Sequence, residues 1–368
     1  MAYAELHCHS NASFLDGGSH PEELAEEAVR LGLEALALTD HDGMYGIVRF
    51  AEAAKALALP TIFGAELTLT PASARPAGRE HPESSGTAWS TGEKWPGGVP
   101  FAATGVFGAK NGGPPGRQPG VQQAPKHQQA RKRQWAQERR GDPKRTGTPD
   151  PPGEHLVVLA RDPQGYGRLC RAISEAQMAG AKGAPRGELG RLAGLHGGHW
   201  VVLTGCRKGA VPSALHRRGP AAAEAELDRL VQAFGRGNVY VELWDHGDPL
   251  DSARNDALVR LADRARVEVV ATNNVHYATP ARRRLATALA AVRARSSLAE
   301  LDGWLPAGAG AHLRSGFEQA TRLARYPGAV ELAAEVGRVL AFDLELVAPR
   351  LPDFPVPPGH TEMSWLRE

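Results

Sequence analysis

Tyr3-Ala4-Glu5-Leu6-His7-Cys8-His9-Ser10 opens the chain, and its histidine pair governs how everything after it is read. On an extended strand, side chains two apart share a face, so His7 and His9 converge while Cys8 points away. Two imidazoles on one inward face need partners, and a divalent cation is the usual one. The alternative is a solvated edge strand carrying histidines by chance, and H-x-H alone does not separate the two.

Polar residues at the ends of later apolar runs bear on that choice. Asp16 sits in Phe14-Leu15-Asp16-Gly17, shortly after the first run. Leu36-Ala37-Leu38 leads into Thr39-Asp40-His41-Asp42, and a third run, 61–66, closes on Gly64-Ala65-Glu66. Far downstream, Asn274 and His276 repeat the i, i+2 arrangement just past a run at 267–271. Each has an ordinary explanation as a cap, a turn residue or a surface carboxylate. Together they form a mixed set of His and carboxylate donors at matching positions of a repeating unit. Asp40, beside His41, is a candidate for orienting a ligand imidazole.

That unit alternates strand and helix. Further strand-like runs lie at 156–159, Trp200–Leu203, Val239–Leu243 and 267–271, with helical periodicity between them, clearest at 221–234 and 252–265. Ser19 and Glu22 read as a capping box with Pro21 in the first turn, and Gly32 as the stop of that helix. Seven strands alternating with helices predict an α/β fold, either a (β/α) barrel or an open parallel sheet. Reactive residues gathered at strand ends favour the barrel.

Charge divides the 368 residues unevenly. The total is +2, from 43 Lys+Arg against 41 Asp+Glu. Residues 71–150 alone carry 13 basic and 6 acidic side chains, with 13 Gly and 11 Pro, so the remainder is net acidic. Such a composition builds a poor core and predicts a solvated, disordered insert over 71–154. Within it Arg131-Lys132-Arg133, Trp135, Arg139 and Arg140 could touch phosphate and stack a base, as a nucleic-acid-binding module would. Three cysteines (Cys8, Cys170, Cys206) make no disulfide framework and suit a reducing compartment. With no apolar run long enough for a membrane span and no signal-peptide pattern at the start, the expected location is cytoplasmic.

Residues 3–10, Phe14-Leu15-Asp16-Gly17 and Leu38-Thr39-Asp40-His41 resemble the opening motifs of the PHP (polymerase and histidinol phosphatase) domain. His155-Leu156-Val157-Val158-Leu159-Ala160 with Gly165-Tyr166, Leu203-Thr204-Gly205-Cys206 and Ala271-Thr272-Asn273-Asn274-Val275-His276-Tyr277 are similar to its later motifs. Their form is that of bacterial C-family DNA polymerases, relatives of the DNA polymerase III alpha subunit. Residues 282–306, His312-Leu313-Arg314-Ser315-Gly316 and 355–368 resemble the error-prone branch.

The resemblance implies a distorted seven-stranded barrel of PHP type over 1–70 and 155–279, followed by a C-terminal α-rich extension, 280–368, that starts the polymerase region. It implies up to three divalent ions, Zn or Mn, at one mouth. His7, His9 and Glu66, with position 274, would hold the first. Glu66, His155 and Cys206 would hold the second, and Asp16, His41 and His276 the third. The family commonly has Asp where this chain has Asn274, a neutral and weaker donor.

It further implies a part in DNA replication and damage-induced translesion synthesis, with DNA, lesion-bypass and sliding-clamp proteins as partners. The acidic signature that would hold Mg in the polymerase region lies beyond the matched segment, and Asp40-His41-Asp42 belongs to the metal motif. A free-standing metal-dependent phosphoesterase is the alternative. The arginine-rich stretch 282–295 reads as a solvated face rather than a DNA-facing one.

Overall fold

The computed structural model describes residues 1–70, 153–181, 183–301, 309–344 and 356–367. The expected disordered insert, with its basic cluster, lies outside them apart from its last two residues.

Seven strands form one sheet in chain order: β1 (Ala4–Glu5), β2 (Ala35–Leu38), β3 (Thr61–Leu69), β4 (Glu154–Ala160), β5 (Trp200–Leu203), β6 (Val239–Leu243) and β7 (Glu268–Ala271). Helices α1 (Pro21–Arg30) and α2 (Ile47–Ala56) separate the first three strands. After β4 come α3 (Pro163–Ala179), α4 (Leu189–His196), α5 (Ala210–Arg218), α6 (Pro220–Phe234) and α7 (Asp251–Ala265). Beyond β7 the described chain is helical: α8 (Arg283–Ala294), α9 (Gly316–Arg322), α10 (Ala329–Leu340) and α11 (Glu362–Arg367).

The expected alternation holds, with one departure. All neighbouring pairs run parallel except those of β4, which is antiparallel to both β3 and β5. Hydrophobic alternation carries no sense of direction, so the reversal was invisible in the sequence. Its effect on the site is direct, because the start of β4 lies at the mouth where its neighbours end. Thr68 of β3 pairs with His155, and Glu66 with Val157.

The sheet curls until its two edges meet. Just beyond β1 and β7, Cys8 pairs with Val275, and backbone bonds run from His9 N–H to Val275 O and from Val275 N–H to His7 O, both 2.8 Å. This register sets Asn274 level with His7 and His276 level with His9. Cys8 and Val275 face the apolar core, so the polar residues flanking them face the opposite side.

Helix faces explain the covering layer. In α1, Leu24, Ala25 and Ala28 are buried at helical spacing, and Gly32 ends it with φ 68°, a conformation glycine takes without strain. The cap falls one residue later than the S-x-x-E pattern predicts. The His20 N–H donates to Glu23, while Ser19 Oγ accepts from the Ala278 N–H and ties the helix start to the far edge of the sheet. In α10, Ala329, Val330, Ala333, Val336 and Leu340 are buried against β7, β1 and β2. Residues 309–344 thereby share the apolar core of the sheet.

Candidate metal centre

Glu66 is the hub of the mouth. It is 1 % exposed, and four imidazoles, from β4 and from the segments just beyond β1 and β2, surround its carboxylate. His7 Nε2 stands 3.6 Å from Oε1, and His9 Nε2 stands 3.5 Å from Oε2. His41 Nδ1 and His155 Nδ1 each lie 3.2 Å from Oε2. Cys206 Sγ is 3.5 Å from Oε1. Donor atoms of His7, His9 and Glu66 form one group within 4.8 Å, and those of His41, Glu66 and His155 form another.

The remaining predicted residues flank this hub. Asp16 Oδ2 lies 3.0 Å from His41 Nε2 and 3.4 Å from His276 Nδ1. The His9 ring stacks between those of His41 and His276, with centroids 4.5 and 4.9 Å away. Asp16, His41 and His276 keep some solvent exposure, whereas His7, His9, Glu66 and His155 are buried. The first three therefore form the open rim and the others the floor. Asn274 is buried at φ 41°, a left-handed conformation that Asn tolerates better than most residues. His155 reaches the mouth because β4 is reversed.

The charges are mutually dependent. Burial pushes the Glu66 carboxyl up, but His155 and His41 outweigh it and hold it well below its ordinary value. Burial also opposes charge on His155, and the nearby Glu66 and Cys206 reverse that, raising it to about 11. His9 goes the other way, driven well down by burial and by neighbouring His41. Burial, reinforced by Glu66, pushes the Cys206 thiol up, so a ligand role would require a cation to displace its proton.

These residues fit a divalent ion. Ligands 2.0–2.1 Å from a tetrahedral centre stand roughly 3.3 Å apart. The three distances among His7 Nε2, His9 Nε2 and the Glu66 oxygens are 3.1, 3.5 and 3.6 Å. One buried atom at the mouth, Asn274 Oδ1, has no hydrogen-bond partner, and such an orphan calls for an unseen ligand.

Three supporting residues went unread in the sequence. Glu242, fully buried on β6, meets His7 Nδ1 at 2.6 Å. Ser13 donates its hydroxyl to Asp40 at 2.7 Å and lies 3.4 Å from His9 Nδ1. Asp40 thus acts on the histidines through Ser13 rather than by touching the His41 ring. Glu5, also fully buried, accepts from the His7 and Asn273 backbone N–H groups, and burial raises it to about 7. A carboxylate at a strand position flanked by apolar residues was the available signal for Glu5 and Glu242.

Comparison with known proteins identifies the family. The sequence pattern of the PHP domain matches residues 5–246. The chain belongs to the PHP domain family. Over its whole length it is 49 % identical to an error-prone DNA polymerase of Nocardia farcinica and 48 % identical to one of Mycobacterium tuberculosis. It spans only 30 % and 27 % of those relatives. Among solved structures, an amidohydrolase from Chromobacterium violaceum and a protein described as a metal-dependent phosphoesterase from Bifidobacterium adolescentis each superpose with a TM-score of 0.39 at 14 % identity. Each match covers 75 % of this chain and 88 % of the other. No helix among the described residues of this PHP chain is long and apolar enough to cross a membrane.

Proposed function

We propose that this chain is the N-terminal PHP portion of an error-prone DNA polymerase and that its mouth is a metal-dependent phosphoesterase site weakened at one position. In this reading 1–70 and 155–279 are the metal-binding barrel and 280–368 begin the polymerase region, which takes its own Mg further along. The whole protein acts on DNA in replication and lesion bypass, with sliding-clamp and bypass proteins as partners, in the cytoplasm.

The ligand sets are His7, His9, Glu66 and Asn274; Glu66, His155 and Cys206; and Asp16, His41 and His276, for Zn or Mn. Bound there, such ions would lower the pKa of water and draw in phosphate oxygens. The protein's own work is to fix donors. Glu242 holds the proton of His7 on Nδ1 and leaves Nε2 facing Glu66, while Ser13 does the same for His9. The partly exposed rim of Asp16, His41 and His276 faces the substrate. Asn274 withholds the negative charge an Asp would bring, so hydrolysis is slow.

The observation that carries this reading is the convergence of His7, His9, His41 and His155 on one carboxylate, in a chain matched along its whole length by error-prone polymerases. Its test is metal analysis of the purified chain beside hydrolysis of a phosphodiester and of single-stranded DNA, repeated with Asn274→Asp. Bound divalent ions, slow native hydrolysis and a clear gain in the variant are expected. A native chain without metal, whose thermal stability ignores His7→Ala, would contradict the site; brisk native hydrolysis would contradict its weakening.

A further inference from the structure

Glu242 is buried to 0 % exposure, and its carboxylate stands directly behind a member of the first ligand group, His7. Its Oε1 accepts from His7 Nδ1 at 2.6 Å and from the Thr272 hydroxyl at 2.5 Å. Its backbone N–H is held by Thr204 Oγ1 at 3.0 Å, and its Oε2 is buried without a partner. A carboxylate this enclosed is costly unless its charge is used. The group it supports is short of charge, because Glu66 is shared between two ligand groups and Asn274 is neutral. A carboxylate behind a ligating imidazole fixes the ring and raises the basicity of its far nitrogen.

We propose that Glu242 is a positioning residue whose charge, relayed through His7, replaces the one Asn274 does not supply and so sets divalent-ion affinity at the His7–His9–Glu66 group. The inference rests on the metal-site reading above. It differs from a purely architectural role for Glu242 in binding β6 to β1, and the two roles respond differently to substitution. Glu242→Gln keeps an oxygen for His7 Nδ1–H and nearly the same volume, but removes the charge.

The test is titration of chelator-treated protein with Zn²⁺ or Mn²⁺ in competition with a fluorescent chelator, comparing native, Glu242→Gln, Asn274→Asp and the double variant. Glu242→Gln is expected to weaken one ion about 10–100-fold and leave the others, with unchanged circular dichroism. The double variant is expected to return to within about 3-fold of native, because Asn274→Asp restores the charge directly. Native-like affinity in Glu242→Gln overturns the proposal. So does a double variant as weak as Glu242→Gln, which assigns Glu242 an architectural role. Should Glu242→Gln alone fold poorly, a double variant with native circular dichroism decides against the native chain: affinity within about 3-fold is expected, and affinity about 10-fold or more below native overturns the proposal. A native chain that binds no ion overturns the proposal together with the site itself, a result distinct from the others.

Discussion

Replacing Glu66 by Ala is the sharpest perturbation the fold offers, because one side chain belongs to both ligand groups. In metal-free protein the loss is electrostatic. Removing one partner of a buried ion pair costs about 3–5 kcal/mol when the survivor stays charged. Histidine can release its proton instead, so the lower end applies, about 3 kcal/mol. The pH dependence has a definite sign. His155 is raised to about 11 from 6.5, so its stabilising share is complete below pH 6.5 and fades as pH rises toward 11. The gap between native and Glu66→Ala should therefore narrow across that interval. With metal the effect grows. An ion at 100 times its Kd stabilises the native state by about 2.7 kcal/mol, or about 5–10 °C in Tm for a domain of this size. Thermal unfolding with and without Zn²⁺ or Mn²⁺ after chelation measures both. The native chain should gain that rise and Glu66→Ala should lose the share of the two groups that contain it, keeping at most that of Asp16, His41 and His276; an equal rise in the variant would refute a hub at Glu66.

Two further perturbations probe the fold around the site. His246 donates to Asn273 O at 2.5 Å, and burial lowers it from 6.5 to about 4, so its contribution is whole above pH 6.5 and lost as pH falls toward 4. Its residual exposure trims a fully buried value of about 3 kcal/mol to about 2. Urea midpoints of metal-free protein should fall less steeply over that range in His246→Gln, and parallel curves would contradict the assignment. Gly337→Ala sets helix propensity against space. Alanine gains about 1 kcal/mol in a helix, but its Cβ would stand 2.4 Å from Ala4 Cβ, where α10 crosses β1. Overpacking at about 1–3 kcal/mol should win, giving net destabilisation, and a stabilised variant would show the contact yields freely.

Particular residues mark how far the sequence reached. His7-Cys8-His9 was legible because strand geometry forces alternate residues onto one face, and the observed pairing of Cys8 with Val275 has that consequence. The strands Trp200–Leu203 and Val239–Leu243 fall where apolar runs placed them. His155 sits at the start of its strand rather than the end, and period-2 alternation, which reads the same in both directions, gives no sign of the reversal that pairing with β3 reveals. Glu242 was passed over because a lone Glu in Val-Tyr-Val-Glu-Leu looks like the solvent side of a half-buried strand. Its burial depends on a sheet curled far enough to bring β6 against the histidine of β1, 235 residues away, a tertiary fact. The role of Asp40 was anticipated in kind but not in route, since the intervening Ser13 hydroxyl has no sequence signature.

Anomalous diffraction from a crystal of the native chain soaked in Zn²⁺ or Mn²⁺ tests the central claim most directly. The account predicts at least two peaks flanking the Glu66 carboxylate, one within coordination distance of His7 and His9 and one beside His155. A saturated crystal with no peak at Glu66 would contradict it.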